Sequence, residues 1–302
     1  MGKKLGSEIM KNNKGFMSVA IIYSFFLVFL TLILSIVTNY VSTRTLLNSI
    51  KKNVKIEIAD TNFARYLINH LNEVGLSEIA ESYRYVGQVE NNYVCLNSQD
   101  SICPDEDLYR IIGVINGKIK VIKATPIEAK MYDADNSNVL VNTSIYKYLN
   151  EEFINTIKNY ANNLERTIWY VGGIDEKFKT ENGLNIYNAE VGENKNTGVT
   201  VDAYITLPLV SDYALASSNY NNISKDDNWL FNDDMWLLTR CSNYYNYAFY
   251  INDEGRIDID NVLDEKNIYP CFYLKRSVQS INANADGTKD NPYILGGFNE
   301  IK

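Results

Sequence analysis

Histidine is nearly missing from this chain: His70 is its one instance in 302 residues. Without a second imidazole there is no Ser-His-Asp or Cys-His arrangement to assemble and no histidine set for zinc. No G-x-x-x-x-G-K-[ST] loop occurs, and no G-x-G-x-x-G follows a strand pattern, which removes the common nucleotide-binding motifs. Basic residues are in deficit, 29 against 37 acidic, for a net charge of -8. With no basic cluster either, nucleic acid is not an expected partner. The four cysteines, Cys95, Cys103, Cys241 and Cys271, show no C-x-x-C spacing. An even count without that spacing reads as disulfides rather than zinc, with Cys95–Cys103 and Cys241–Cys271 as the expected pairs. Disulfides imply a compartment outside the cytoplasm. The other reading of the same residues is four buried free thiols in a cytosolic domain.

What the chain does have is an uncharged run from Phe16 to Val37. At about 1.5 Å per helical residue, roughly 22 residues cross a bilayer core of ~30 Å. The run outlasts the apolar core of a secretory signal, about 7–15 residues, and no small-x-small cleavage site follows it. A single-pass membrane helix is expected. Lysines precede it (Lys3, Lys4, Lys11, Lys14) and basic residues follow it (Arg44, Lys51, Lys52, Lys55). The charge bias therefore leaves orientation open. The cysteines place the N-terminus in the cytoplasm and the C-terminal part outside.

Residues 38–75 continue with apolar positions at three- and four-residue steps, among them Leu46, Leu47, Ile50, Val54, Phe63, Leu67 and Leu71, and no proline interrupts them. They are expected to form a helical stalk that ends at Gly75. Beyond it, tyrosine, asparagine and aspartate become abundant. Short apolar runs such as "YRYVG", "DLYRIIGV", "KIKVIKA", "TIWYVGG", "YAFYI", "RIDI" and "YPCFYLKR" alternate with turn residues and read as strands. Asn116-Gly117 predicts a two-residue hairpin, and Gly255 a positive-φ turn. One clear helix is expected over about 143–165, capped by Thr143 or Ser144. The fold class is α+β: a basic leader 1–15, a membrane helix 16–37, a stalk 38–75 and a globular domain 76–302 of mostly antiparallel short strands.

The leader and helix, "KNNKGF" followed by the apolar run, resemble the type IV prepilin signature. The resemblance implies cleavage after Gly15, with Phe16 as the new terminus, and assembly with pilin or pseudopilin subunits through the helix. The glutamate common at the fifth mature position of pilins is Ala20 here, which fits a minor pilin or pseudopilin-like subunit. An uncut signal anchor is the plainer reading of these residues. The order of motifs over about 80–295, including "LVSDYALA", "MWLLTR", "YAFYINDEG", "YPCFYLKRSV" and "DGTKDNPYIL", resembles an uncharacterised surface-domain family of low-GC Gram-positive bacteria. Its closing pattern is similar to C-type-lectin-like and sulfatase-modifying-factor-like domains, a likeness of fold and not of function. The latter use a closely spaced cysteine pair, whereas Cys241 and Cys271 stand 30 residues apart.

For chemistry, the acidic stretches "DADNSN" (Asp133, Asp135, Asn138) and "KDDNWLFNDD" (Asp226, Asp227, Asp233, Asp234) offer hard oxygens for calcium. Neither is an EF-hand, and solvated turns explain them equally, so no metal or cofactor is assigned. For recognition, Trp229, Tyr244, Tyr245 and Tyr247 supply rigid aromatic area of the kind that stacks on sugars or partner proteins. Packing in the core is the competing reading, above all for the tryptophans. The expected function is a membrane-anchored, pilin-like surface protein displaying an adhesion or recognition domain for a glycan or surface-protein ligand. The alternative is an anchored enzyme acting on wall or glycan substrates through carboxylates.

Overall fold

Strand Leu108–Ile115 turns back into strand Lys118–Lys123 through Asn116 and Gly117, whose φ angles of 52° and 79° form the left-handed pair that a two-residue hairpin demands. This hairpin is the centre of the globular unit. The computed structural model describes residues 21–38, 40–41, 62–96, 103–157, 160–191, 199–275, 278–280, 282 and 284–296. The chain divides into two units, residues 1–55 and 56–302.

In the first unit a helix spans Ile21–Thr38 with mean hydropathy 2.5. It is long and apolar enough to cross a membrane. Thr31 and Thr38 return their hydroxyl protons to the carbonyls of Val28 and Leu34, which satisfies both on the helix itself. Gly15 and Phe16 lie outside the described residues.

Among the described residues, the second unit is built around a ten-stranded sheet, seven of whose strands lie side by side. Their order is Ile205–Thr206, Cys271–Leu274, Lys118–Lys123, Leu108–Ile115, Tyr93–Cys95, Tyr293–Gly296 and Gln279–Ser280. The hairpin Leu76–Ile79/Ser82–Tyr85 adds to Leu108–Ile115, and Leu164–Glu165 pairs with Cys271–Leu274. A second sheet orders Ile257–Asn261, Tyr247–Ile251, Met235–Arg240, Glu265–Asn267 and Ala129–Met131. A two-stranded ribbon joins Thr167–Tyr170 to Thr200–Ala203. Pairing is antiparallel almost throughout, so the α+β class read from the sequence holds. Strand Leu108–Ile115 is buried along its whole length and its neighbours nearly so; Ile111, Val121 and Phe272 have no exposed surface. Each such side chain contributes about 1.5–3 kcal/mol relative to exposure.

Two expectations about helices are modified. Of the stretch 38–75, residues 39 and 42–61 lie outside the described residues. The helix Asn62–Asn69 instead packs Phe63, Ala64, Leu67 and Ile68 into the core of the globular unit. Gly75, at φ 80°, does end the next turn. The helix expected over 143–165 starts at Ser144, where Thr143 accepts from the Tyr146 N–H, but it is regular only to Thr156. Its middle, Tyr148–Phe153, is a π-helical turn. There the Asn150 amide donates to the Ile205 carbonyl at 2.9 Å and accepts from the Ile205 N–H at 3.2 Å, clipping the helix to the edge strand.

Candidate functional site

Register brings the site together. Arg84 pairs with Gly113, Gly113 with Lys120, and Lys120 with Tyr273, so a single row crosses four strands. Partners directly across a sheet share a face. Arg84, Lys120 and Tyr273 therefore point the same way, with a glycine between the two cations. A Cβ on Gly113 would stand 2.1 Å from the Tyr83 carbonyl oxygen, so the strands approach too closely for any side chain there. Asp212, on the short helix Val210–Ala214, meets this row from above. Arg84 donates to one of its carboxylate oxygens at 3.0 Å and Lys120 to the other at 2.5 Å. The second oxygen also accepts from the Leu209 N–H at 2.9 Å.

All three charged side chains are almost fully buried, with side-chain exposures of 3% for Arg84, 1% for Lys120 and 0% for Asp212. Burial is the largest single influence and alone would drive the lysine toward neutrality, but Asp212, joined by Tyr273 and Cys271, outweighs it and holds the ammonium above the ordinary lysine value. For Asp212, burial is likewise outweighed, by Lys120 and then Arg84, and its carboxyl sits below the usual range. Two aromatic faces complete the setting: the Trp169 and Tyr273 ring centres lie 4.9 and 5.4 Å from the Lys120 ammonium. Burial pushes the nearby Cys271 thiol up to about 12 and raises Tyr273 as well.

Behind Asp212 sits a second buried carboxylate. Glu190, at the end of the helix Gly183–Glu190, accepts from the N–H groups of Val210 and Ser211 at 3.1 and 2.8 Å and from the Thr239 hydroxyl. Burial nonetheless pushes its carboxyl above the usual range. It anchors the start of the helix that carries Asp212.

Above the charged row opens a cavity of about 530 Å³. Its floor is Arg84, Lys120, Asp212 and Tyr273, and its walls include Trp169, Tyr170 and Tyr187. At its rim are two hairpin turns, Asn116 and the pair Ala80–Glu81. The latter residues stand at φ 50° and 56°, angles that side-chain-bearing residues adopt at a cost.

The residues singled out from sequence lie elsewhere. Trp229 is 6% exposed; its indole donates to the Tyr85 carbonyl at 2.8 Å, and the Arg110 guanidinium stacks on it at 4.5 Å. It is a core residue. The Cys95–Cys103 disulfide is present. The pairing expected for Cys241 and Cys271 is corrected: both are free and buried. They stand in different surroundings, Cys271 on the large sheet beside Lys120 and Cys241 at the end of the second sheet beside Asn243. The loop after Cys241 is pinned without a disulfide. The buried Asn138 amide donates to the carbonyls of Cys241, Tyr244 and Tyr247 at 3.0, 2.5 and 2.8 Å, and its own N–H reaches the Tyr245 carbonyl. Tyr244 and Tyr245 are 41% and 73% exposed, and Tyr247, ring against ring with Tyr244, is half-buried.

The side-chain oxygen of Asn138, the atom that would ligate calcium, faces the Arg240 guanidinium at 3.5 Å, a cation that opposes a second one there. Asp133 likewise spends its oxygens on the Ser137 and Ser144 N–H groups, and Asp227 accepts from Ser218. Asp233 and Asp234 both accept from the Asn267 amide, Asp226 is exposed, and Asp135 is an exposed turn residue. Among the described residues no group of three or more His, Cys, Asp or Glu side chains is arranged to hold a metal ion.

The charged floor was not found from sequence, although a signal existed. Arg84 in "YRYV" and Asp212 in "LVSDYALA" are each the single charge in their stretch, whereas Lys120 in "KIKVIK" is one lysine of three. Charged residues are rarely fully buried unless paired, so a single charge in such a stretch points to a buried pair. Compared with known proteins, the chain matches no family model, no curated protein and no solved structure.

Proposed function

We propose that this chain is a membrane-anchored protein that holds a recognition domain outside the cytoplasm, and that the cavity over Arg84, Lys120 and Asp212 is where the domain takes its ligand. The anchor half is supported by the Ile21–Thr38 helix and the Cys95–Cys103 disulfide. A pilin-like subunit, cut between Gly15 and Phe16, remains the form of anchor that "KNNKGF" favours.

One observation carries the recognition half. The cavity is ready-made, partly aromatic, and floored by groups whose protonation states are locked at neutral pH. A general acid or base works best with a pKa near the operating pH. Lys120 stays protonated and Asp212 ionised, while the Cys271 thiol and the Tyr273 phenol stay neutral. A carboxylate hydrolase needs two opposed carboxyl groups with one of them protonated. Here Asp212 is consumed by two cations and Glu190 by a helix start. A fixed polar floor beneath aromatic walls suits binding.

The test is capture of a defined panel of mono- and disaccharides by the full chain in detergent micelles. Substituting Tyr187 and Tyr170 with alanine should abolish capture of whatever the native protein retains. The pair Tyr244→Ala and Tyr245→Ala should leave it unchanged. The reverse pattern would move recognition to the 243–247 loop.

A further inference from the structure

We infer that the cavity engages its ligand through an anionic group, a carboxylate or a phosphate, seated over the Arg84–Lys120 pair. The inference rests on the cavity being the recognition site. Its basis is an unbalanced charge: two cations share one carboxylate, so the floor carries a net positive charge in a setting almost closed to water. An uncompensated buried charge is costly, and an anion arriving from the open side offsets it.

Arg110 provides the internal comparison. It too is buried, yet its three guanidinium nitrogens donate to Asn92, Trp229 and Val89 oxygens at 2.8, 2.9 and 2.6 Å. Each of its three nitrogens has a partner, and it is a structural residue. Arg84 commits Nε to Ser82 and one terminal nitrogen to Asp212, at 2.9 and 3.0 Å. No bond holds its other terminal nitrogen among the described residues, and the side chain lines the cavity. Lys120 bonds Asp212 with one of the three protons an ammonium carries. A guanidinium donor and an ammonium at the bottom of a cavity match the geometry of a carboxylate or phosphate. The Trp169, Tyr170 and Tyr187 side chains above them suit a ligand whose charged group is attached to a ring, such as an acidic sugar. At the mouth, the exposed Glu81 is the one carboxylate that opposes an incoming anion among the lining residues besides Asp212.

Thermal unfolding of the full chain in detergent micelles, at constant ionic strength, tests this with three probes: D-glucuronate, D-glucose and inorganic phosphate. A ligand of the native state raises the melting temperature. D-glucuronate should do so, with at least tenfold higher affinity than D-glucose, which has the ring without the charge. Phosphate equal to D-glucuronate supports a site for the anionic group alone, and phosphate weaker than D-glucuronate supports an acidic sugar. Glu81→Gln, a substitution at an exposed rim position, should tighten D-glucuronate binding roughly two- to fivefold, the effect of removing one charge at moderate distance. D-glucose binding as tightly as D-glucuronate, or an unchanged affinity in Glu81→Gln, would overturn the anionic inference while leaving the cavity as the recognition site. No response to either anion, with capture of panel sugars lost in the Tyr187→Ala and Tyr170→Ala protein, overturns the inference in the same way. Retained capture in that protein is the separate result that removes the recognition reading.

Discussion

Lys120 Nζ stands 2.5 Å from Asp212 Oδ2, and Arg84 holds the other oxygen of the same carboxylate at 3.0 Å, all three nearly buried at the floor of the cavity. The charges are unequal in number, so their removal should be unequal in cost. Asp212→Asn leaves two buried cations without a counterion and is expected to destabilise the globular unit by about 3–5 kcal/mol, the usual cost of orphaning a buried charge. Lys120→Met leaves a one-to-one Arg84–Asp212 pair and should cost clearly less. Denaturant unfolding of the two full-length variants in detergent gives the comparison, and a larger loss for Lys120→Met would contradict the charge count.

The same triad sets the pH response. Asp212 is held below its ordinary value, so its contribution is present above the free carboxylate value of about 3.9 and fades as pH falls through its folded value. Lys120 is held above its ordinary value. Its contribution is full below about 10.4 and fades as pH rises through its folded value. Glu190, raised by burial, works against a flat profile: its contribution is full below about 4.3 and declines as pH rises through its folded value. Stability measured across the pH range should therefore show an alkaline fall that is smaller in Lys120→Met than in the native chain.

Ala80 and Glu81 occupy the two positions of a tight hairpin turn in left-handed backbone, at φ 50° and 56°. Asparagine followed by glycine is the pair suited to such a turn. Replacing Ala80 with Asn and Glu81 with Gly should raise stability by about 1 kcal/mol, read as a shifted denaturation midpoint with an unchanged slope.

Much of the fold was legible because its signals are local. "INGK" marked the hairpin turn, although a register shift between Ile111 and Gly113 was not readable, and Gly255 does take a positive φ, 75°. The site was not legible, because it is made by pairings distant in sequence. Arg84, Lys120 and Asp212 come from three segments, and only the Arg84–Gly113–Lys120 register and the descent of the Val210–Ala214 helix bring them together. Alternation in "KIKVIK" suggests a solvent-facing Lys120, whereas the strand is covered on both faces. The aromatic residues misled for the opposite reason. Trp229 is conspicuous in sequence, but its large apolar area and single N–H donor are satisfied by the core. The loop at Tyr244 and Tyr245 is pinned by Asn138 and not by a Cys241–Cys271 bond.

The Cys95–Cys103 disulfide closes a short loop, eight residues apart in sequence. Substituting both cysteines with serine should cost about 2–3 kcal/mol on the chain-entropy account. Peptide mapping of protein from intact cells, without reduction, should recover this pair and two free thiols, Cys241 and Cys271. Four free thiols would remove the support that the disulfide lends to a location outside the cytoplasm.

Hydrogen–deuterium exchange of the full chain with and without saturating D-glucuronate tests the location and chemistry of binding together. The expected result is slowed exchange in the helix Gly183–Glu190 and at the Ala80–Glu81 and Asn116–Gly117 turns, which frame the cavity over Arg84 and Lys120. Protection confined to residues 243–247, or protection equally strong with D-glucose, would contradict an anion-binding cavity as the working site of this protein.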